Sequence, residues 1–126
     1  MDETEELIEL CVRTLVSQMI AAPGVELHVT RRCVLGLTDE PAADFNRLIL
    51  GEDSQAEGFL VRATALAKAR GRPLVATMSP RAADTLAPVA TRLGFAPVGA
   101  APLMVLRAGT PVQPGRPMKV VRALGP

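Results

Sequence analysis

Apolar and polar positions alternate with a helical period at the start of the chain. Over residues 3–21 the apolar side chains recur three or four positions apart and form one stripe, which consists of Leu7, Ile8, Cys11, Val12, Leu15, Val16, Met19 and Ile20. Acidic residues occupy the first turn, where they suit the positive end of the helix dipole. We therefore expect an amphipathic helix that is ended by Pro23 and Gly24.

Runs of β-branched and aliphatic residues follow this helix. Residues 25–30 and 33–38 form two such runs, which are separated by Arg31 and Arg32. They predict neighbouring strands of a hairpin or a meander. Residues 45–50 predict a third short strand.

A second helix is predicted over residues 54–70. Ser54 and Glu57 have the spacing of a capping box, in which the serine oxygen accepts a backbone N–H and the glutamate reaches back. Gly71 is a favourable C-cap residue for this helix.

The next two elements are a strand and a third helix. Residues 74–78 form a continuous apolar run, as expected of an internal strand that is covered on both faces. Residues 79–94 predict a helix with Ser79 as N-cap and Pro80 at the first helical position. Pro88 lies inside this pattern and predicts a kink or a split into two short helices.

The remaining chain contains two further strand candidates and a tail. Residues 95–99 and 103–107 predict a final pair of strands, which gives the element order αβββαβαββ. Residues 108–126 contain four Pro and three Gly, and only residues 118–122 within them have strand character. We expect one domain over residues 1–107, followed by a Pro/Gly-rich C-terminal arm over residues 108–126.

Composition restricts the class of protein. Hydrophobic residues make up 48% of the 126 residues but aromatic residues only 2%, so the predicted core is aliphatic. Fourteen basic and 13 acidic residues give a net charge of +1, which supplies no general attraction to nucleic acid or to an anionic membrane. The acidic start of the chain and the absence of a long apolar run predict a soluble cytoplasmic protein without a membrane segment.

The two cysteines, Cys11 and Cys33, lack the spacing of metal ligands. We expect each to be a small core residue with a free thiol, and we expect no metal site.

The element order resembles that of the GNAT N-acetyltransferase superfamily. The segment "LGLTDEPAADFN" at residues 35–46 is similar to the "tG.p.p.fN" segment of the degenerate N-terminal domains of tandem GNAT proteins. Residues 65–107 resemble the part that follows there, with a helix ending at glycine and a closing strand that contains Met104. The resemblance implies an α+β fold with helices on both faces of a mixed, largely antiparallel sheet. It also implies acetyl-CoA as cofactor if the chain is an active acyltransferase.

The resemblance places a coenzyme loop at residues 51–60. Family members hold the acyl-CoA pyrophosphate on backbone amides in a segment of the form Arg/Gln-x-x-Gly-x-Gly/Ala, where glycine permits close approach and the helix dipole attracts the anion. Gln55 and Gly58 match this form and are the candidate cofactor-binding residues, whereas Leu60 stands where Gly or Ala is expected.

Charges in this loop oppose its use as a phosphate site. Glu52, Asp53 and Glu57 are acidic, and each like charge within ~4–6 Å costs on the order of 1 kcal/mol. The helix dipole contributes only ~0.3–1 kcal/mol in the opposite direction. We interpret the segment as a helix start that has lost the phosphate role.

No catalytic residue can be assigned from the sequence. Glu26, His28 and Asp39 are possible general bases for amine acetylation, and His28 with Glu26 on the same strand face is typical of a half-exposed strand histidine. The tyrosine that many GNAT enzymes use as an acid does not occur in this chain. Ser79 is interpreted as a helix cap and not as a nucleophile.

Three other residue groups have both a structural and a functional interpretation. Asn46 is expected to bond neighbouring backbone while Phe45 fills the core. The Arg31–Arg32 pair is expected to be a solvated corner, with anion binding as the alternative. The remaining group, Met78, Leu103 and Met104, is expected in the core.

Three functions remain compatible with the sequence. The first is a degenerate GNAT domain with a structural or dimerising role, whose partner is a second copy or a second GNAT-like domain. The second is an active, small acetyl-CoA-dependent N-acetyltransferase. The third is a small-ligand or protein-interaction module that is unrelated to coenzyme A, since element order alone does not determine function.

Overall fold

The structure is a computed structural model that describes residues 3–22 and 24–100, apart from the Asp44 side chain. These residues form an α+β arrangement of three α-helices and a four-stranded mixed sheet. The elements are α1 (Glu3–Met19), β1 (Glu26–Val29), β2 (Cys33–Leu37), a 3-10 turn (Ala43–Phe45), β3 (Arg47–Leu50), α2 (Ala56–Ala69), β4 (Val75–Met78) and α3 (Pro80–Arg92).

The strands lie in the order β1-β2-β3-β4. Antiparallel pairs join β1 to β2 and β2 to β3, whereas β3 and β4 are parallel. The β1–β2 hairpin turns through Arg31 and Arg32, and the Thr30 amide closes it by donating to the Cys33 carbonyl at 2.8 Å. The predicted hairpin is thereby confirmed.

This topology gives the sheet two chemically different ends. At one end, which we call the Gly51 end, the hairpin turn lies beside the carboxyl ends of β3 and β4. At the other, the Thr38 end, the start of β1 lies beside the end of β2, since Glu26 is paired with Leu37.

Helix α1 covers one face of the sheet. Its apolar stripe meets alternate residues of the two central strands, and the buried members of this cluster are Ile8, Val12, Leu15, Met19, Val34 and Ile49. Gly36 lies directly under Met19, because a Cβ atom at this position would clash with the Met19 sulfur. The absent side chain therefore lets α1 approach the sheet closely.

Helices α2 and α3 cover the other face. The opposite set of strand residues points into this larger cluster, which includes Cys33, Leu35, Leu37, Leu48, Leu50, Phe59, Leu60 and Leu86. Met78 is half-buried and packs against the same cluster, as predicted. The residues of β4 are all half-buried, so the prediction of a strand fully covered on both faces is wrong.

The helix boundaries correct two sequence predictions. Helix α2 begins after Gln55 and has no side-chain cap, so the capping box of Ser54 and Glu57 is not formed. Helix α3 runs continuously from Pro80 to Arg92 and contains Pro88, so of the two predicted alternatives, a kink or a split, the split does not occur. Ser79 does cap α3, since its Oγ accepts a hydrogen bond from the Ala82 amide at 3.3 Å.

Glycine ends α2 in the predicted way. Gly71 has a φ of +63°, which glycine adopts without the strain of a side chain. Its amide donates to the Lys68 carbonyl at 3.0 Å, and the Arg72 amide donates to the Ala67 carbonyl at 2.9 Å. These are the two bonds of a Schellman motif, which turns the chain back towards the sheet.

The expected order αβββαβαββ is not matched. Residues 95–99 do not form the predicted strand, because they contain Pro97 and follow the helix end without a strand partner in the described part of the chain. The predicted strands at 103–107 and 118–122, and the arm at 108–126, lie outside the described residues. In the described ranges, none of the helices has the length and apolar character needed to cross a bilayer.

Candidate functional site

The candidate coenzyme loop lies at the Gly51 end, between β3 and α2. Gly51 is buried, and its amide donates to the carbonyl of Arg32 in the hairpin turn at 2.8 Å. A Cβ atom on Gly51 would lie 2.8 Å from Cγ2 of Ile8, so only glycine permits this approach to α1. The loop is therefore packed against both α1 and the hairpin.

The backbone N–H and C=O groups of Glu52 are both bonded to charged side chains. Its amide donates to Oε2 of the buried Glu5 at 3.1 Å, and its carbonyl accepts from Nη1 of Arg32 at 2.9 Å. Hydrogen bonds to charged side chains are stronger than those between neutral groups. The path of the loop is consequently set by charged residues that lie far away in sequence.

A carboxylate of the chain accepts a hydrogen bond from the backbone amide that directly precedes α2. Asp53 Oδ1 accepts a hydrogen bond from the Gln55 amide at 2.8 Å, and the Asp53 carbonyl accepts from the Ala56 amide at 3.1 Å. An anion is stabilised at a helix N-terminus. Asp53 therefore provides, from within the chain, the kind of group that a phosphate would supply.

The next amides along the helix remain open. Within residues 3–22 and 24–100, no acceptor contacts the amides of Glu57 and Gly58. Gly58 is half-buried, and a Cβ atom there would lie 3.2 Å from Nη1 of Arg62. Gln55 is exposed, so both predicted cofactor-binding residues lie at an accessible helix start.

Leu60, which stands where the family form has Gly or Ala, does not place a bulky side chain against the loop. This side chain is 0% exposed and belongs to the core cluster between the sheet and the two helices. It therefore points into the core and does not cover the open amides of α2. The sequence could not show this orientation, because it depends on how α2 is rotated about its axis.

Arginines balance part of the acidic charge of the loop. Arg81 Nη1 lies 3.3 Å from Glu52 Oε2, and Arg32 binds the Glu52 carbonyl. Glu9 accepts from both arginines of the hairpin turn, at 2.8 Å from Nε of Arg31 and 3.3 Å from Nε of Arg32. Arg32 is thus a bridge between α1 and the loop, and the prediction that it is only a solvated corner is wrong.

The three possible general bases are gathered at the Thr38 end. His28 is half-exposed as predicted, and its Nε2 lies 2.9 Å from Oε1 of Glu26. Glu26 and Asp39 line the same cleft. This cleft is at the opposite end of the sheet from Gln55 and Gly58, so the structure does not bring these bases to the candidate coenzyme loop.

Two residues of the cleft were missed by the sequence analysis. Arg70 and Arg72 flank the Gly71 turn, and both line the cleft with Glu26 and Asp39. Arg70 Nη2 lies 2.6 Å from Glu26 Oε2. The available signal was the glycine C-cap, which brings both neighbours to the same end of the sheet.

Asn46 has the structural role that was predicted. It is 0% exposed, its Oδ1 accepts from the Thr38 amide at 2.9 Å, and its Nδ2 donates to the carbonyls of Glu40 at 2.9 Å and Ala42 at 3.0 Å. Phe45 does not fill the core, because its side chain is 56% exposed. The amide therefore fixes this corner without help from the ring.

Both cysteines are free thiols, as predicted. Cys33 is buried, whereas Cys11 is half-buried and packs against the α1 cluster. Burial raises the pKa of the Cys33 thiol above its ordinary value of 9.0, although hydrogen bonds from the Thr30 side chain and the Gly51 backbone act in the opposite direction. Cys33 is therefore a core residue, and the pKa shift disfavours its reactive thiolate form.

Comparison with protein families, with curated proteins and with solved structures gives no match for this chain.

Proposed function

We propose that this chain is a GNAT-like domain whose acyl-CoA loop is degenerate and whose role is structural or dimerising. Support comes from the succession β3–α2–β4–α3 with β3 and β4 parallel, because it puts the start of α2 at the carboxyl end of β3. This is the location at which the family resemblance expects a pyrophosphate.

One contact supports the interpretation that the coenzyme loop is degenerate. The Asp53 carboxylate is bonded to the Gln55 amide at 2.8 Å. A pyrophosphate at this amide would have to displace Asp53 and then lie beside its negative charge. The loop is therefore better suited to its own carboxylate than to a coenzyme.

An active acetyl-CoA-dependent N-acetyltransferase is the second candidate. The open amides of Glu57 and Gly58 favour it, since two N–H groups in the first turn of a helix can bind an anion. The burial of Leu60 also removes one steric objection.

Thermal unfolding in the presence of acetyl-CoA and of CoA separates these two functions. A ligand at 100 times its Kd stabilises the folded state by ~2.7 kcal/mol, so a working loop gives a clear rise in Tm. We expect no rise at millimolar coenzyme. A coenzyme-dependent rise that Gly58→Glu abolishes and Glu40→Gln leaves intact would establish the second candidate instead.

The same experiment with Asp53→Asn tests the contact between the Asp53 carboxylate and the Gln55 amide. The substitution keeps the shape of the side chain but removes its charge. If Asp53 is what excludes anions, inorganic pyrophosphate raises the Tm of Asp53→Asn more than that of the unmodified protein. Equal responses would show that the carboxylate does not block the site.

The dimerising role requires association of the chain. Light scattering coupled to size-exclusion chromatography is expected to give the mass of a dimer, with an uncovered strand edge as the contact. A monomer at high protein concentration would contradict this part. The cytoplasmic location expected from the sequence stays a prediction.

A further inference from the structure

A small cleft at the Thr38 end is lined by charged side chains of both signs, and only some of these are paired with each other. It has a volume of about 260 Å³, and it is lined by Gly24 and Glu26 before and in β1, by Leu37, Thr38 and Asp39 at the end of β2, and by Arg70 and Arg72 after α2. Two carboxylates and two guanidinium groups thus share one opening.

One pair of these charges is satisfied within the protein. Glu26 uses Oε2 for Arg70, at 2.6 Å, and Oε1 for His28, at 2.9 Å. The three side chains form a continuous row from β1 to the end of α2. Arg72 and Asp39 therefore remain as the charged groups of the cleft that can bind a ligand.

Arg72 presents the free end of its guanidinium group. Its Nε donates to the Thr38 carbonyl at 3.2 Å, and its amide is fixed by the Schellman motif. Among the described residues, nothing else bonds to its side chain, so Nη1 and Nη2 remain available. A guanidinium group held in this way is suited to a carboxylate, which it can bind through two parallel hydrogen bonds.

Asp39 is the matching acceptor. Its exposed carboxylate makes no ion pair within 4.0 Å among the described residues, and it lies over the backbone of Gly24, where a Cβ atom would clash with it. The residues on either side of Asp39 are both held by Asn46, through the Thr38 amide and the Glu40 carbonyl. A held backbone at this residue reduces the conformational entropy that is lost when a ligand binds.

We propose that this cleft binds a free α-amino acid, with the ligand carboxylate on Arg72 and the ligand ammonium group on Asp39. A zwitterion matches the equal numbers of positive and negative side chains. A phosphate or a simple carboxylate would be repelled by Glu26 and Asp39, and a simple amine by the two arginines. The volume of about 260 Å³ restricts the ligand to a small molecule.

This site is independent of the coenzyme loop, which lies at the other end of the sheet. Binding at the two places is distinguishable by NMR, because an amino acid would shift the amide signals of residues 38–40 and a coenzyme those of residues 55–58. Either proposal can therefore fail while the other stands.

The test is an NMR titration of the ¹⁵N-labelled protein with each of the common amino acids at about 10 mM. We expect at least one to shift residues 38–40 and 72 with a Kd below about 1 mM. The carboxylic acid that lacks its ammonium group and the amine that lacks its carboxylate should each bind at least tenfold more weakly. Inorganic phosphate serves as the anion probe.

Three results would overturn the proposal. These are the absence of any shift at the cleft with all amino acids, equal binding of the acid or amine analogue, and tighter binding of phosphate than of any amino acid. Each of them would show that the two charges do not act together on one ligand.

Variants test the two named side chains. Asp39→Asn and Arg72→Gln should each weaken binding at least tenfold, whereas the matched controls Glu57→Gln and Arg31→Gln at the Gly51 end should stay within twofold. Because Asp39 is exposed, Asp39→Asn keeps the fold and decides the matter even if Arg72→Gln lowers stability. Unchanged affinity of Asp39→Asn would refute the assignment.

Discussion

Individual side chains of this protein hold backbone segments that have no regular secondary structure. Asn46 bonds to the three peptide units of Thr38, Glu40 and Ala42, which follow β2. All of the amide's hydrogen-bonding atoms are used in a fully buried place. The segment before β3 therefore depends on one side chain for its shape.

Removing this amide should be costly. Asn46→Ala leaves the Thr38 amide and two carbonyl groups without partners, and a buried polar group that loses its partner costs about 1–3 kcal/mol. We expect the free energy of unfolding to fall by about 3 kcal/mol in urea denaturation. The control Thr91→Ala removes an exposed hydroxyl that bonds only within α3, and should change stability by less than about 0.5 kcal/mol. A loss at Asn46 no larger than this would contradict the role of the amide.

The Cys33 thiol makes a second residue-level prediction, about pH. Its pKa is raised by burial in the folded state, so the folded protein retains the thiol proton at pH values where the unfolded chain releases it. The stabilisation of the folded state by the protonated thiol is complete below pH 9.0, the ordinary pKa, and is lost progressively as the pH rises above this value.

Unfolding free energies measured at about pH 8 and about pH 10 check this dependence. The unmodified protein should lose more stability over this interval than Cys33→Ala does, and Cys11→Ala should behave like the unmodified protein. An equal loss in Cys33→Ala would mean that the thiol does not contribute.

At the level of secondary structure elements, the local sequence pattern was sufficient to predict an element where one periodicity or one turn signal dominated. The stripe of α1, the hairpin about Arg31 and Arg32, and the Gly71 end of α2 were all predictable, because each depends on neighbours in sequence. Contacts between distant segments account for the misses. Glu5 and Arg32 hold the loop before α2, so its start is set by α1 and the hairpin and not by a capping box.

The cleft was hidden from sequence reasoning for the same reason. Glu26 and Arg70 are far apart in the chain, and only the sheet pairing and the Schellman turn bring them together. That Glu26 pairs with His28 and Arg70, whereas Asp39 makes no ion pair among the described residues, could not be deduced from any one of these residues alone.

Pro88 leads to a testable prediction about the stability of helix α3. Its ring lacks an N–H group, so α3 lacks the backbone bond to Asp84, and a proline inside a helix costs ~3 kcal/mol. Pro88→Ala should raise the free energy of unfolding by about 2 kcal/mol, since the greater freedom of the unfolded chain offsets about 1 kcal/mol of the gain.

Pro80→Ala is the matched control for this helix. Pro80 occupies the first position of α3, where an N–H group would have no partner within the helix. This substitution should leave the free energy of unfolding, measured by chemical denaturation, nearly unchanged or slightly lower. Equal effects of both alanine variants would show that Pro88 costs α3 nothing.

At the scale of the whole molecule, one sheet serves two layers. Val34 and Leu35 are neighbours in β2, yet the first packs under α1 and the second under α2 and α3. Because the same strands support both clusters, neither layer can lose its packing without exposing the backbone that supports the other. We therefore expect a single cooperative unfolding transition.

Truncations in each layer test this coupling. Ile8→Ala in α1 and Leu60→Ala in α2 should each cost about 2–5 kcal/mol, and circular dichroism and NMR signal loss should report the same midpoint. Ile20→Ala serves as the control, because this side chain is 68% exposed. Separate midpoints for α1 and for the rest would show that the layers unfold independently.

The outward position of Phe45 offers a practical consequence. The chain contains no Trp and no Tyr, so it has no natural indole or phenol fluorescence. Phe45 is 56% exposed and adjoins Asn46, which clamps the segment around Asp39. A Phe45→Trp protein should thus carry an optical reporter on a rigid corner without disturbing the interior, and its emission would follow events near that corner in real time.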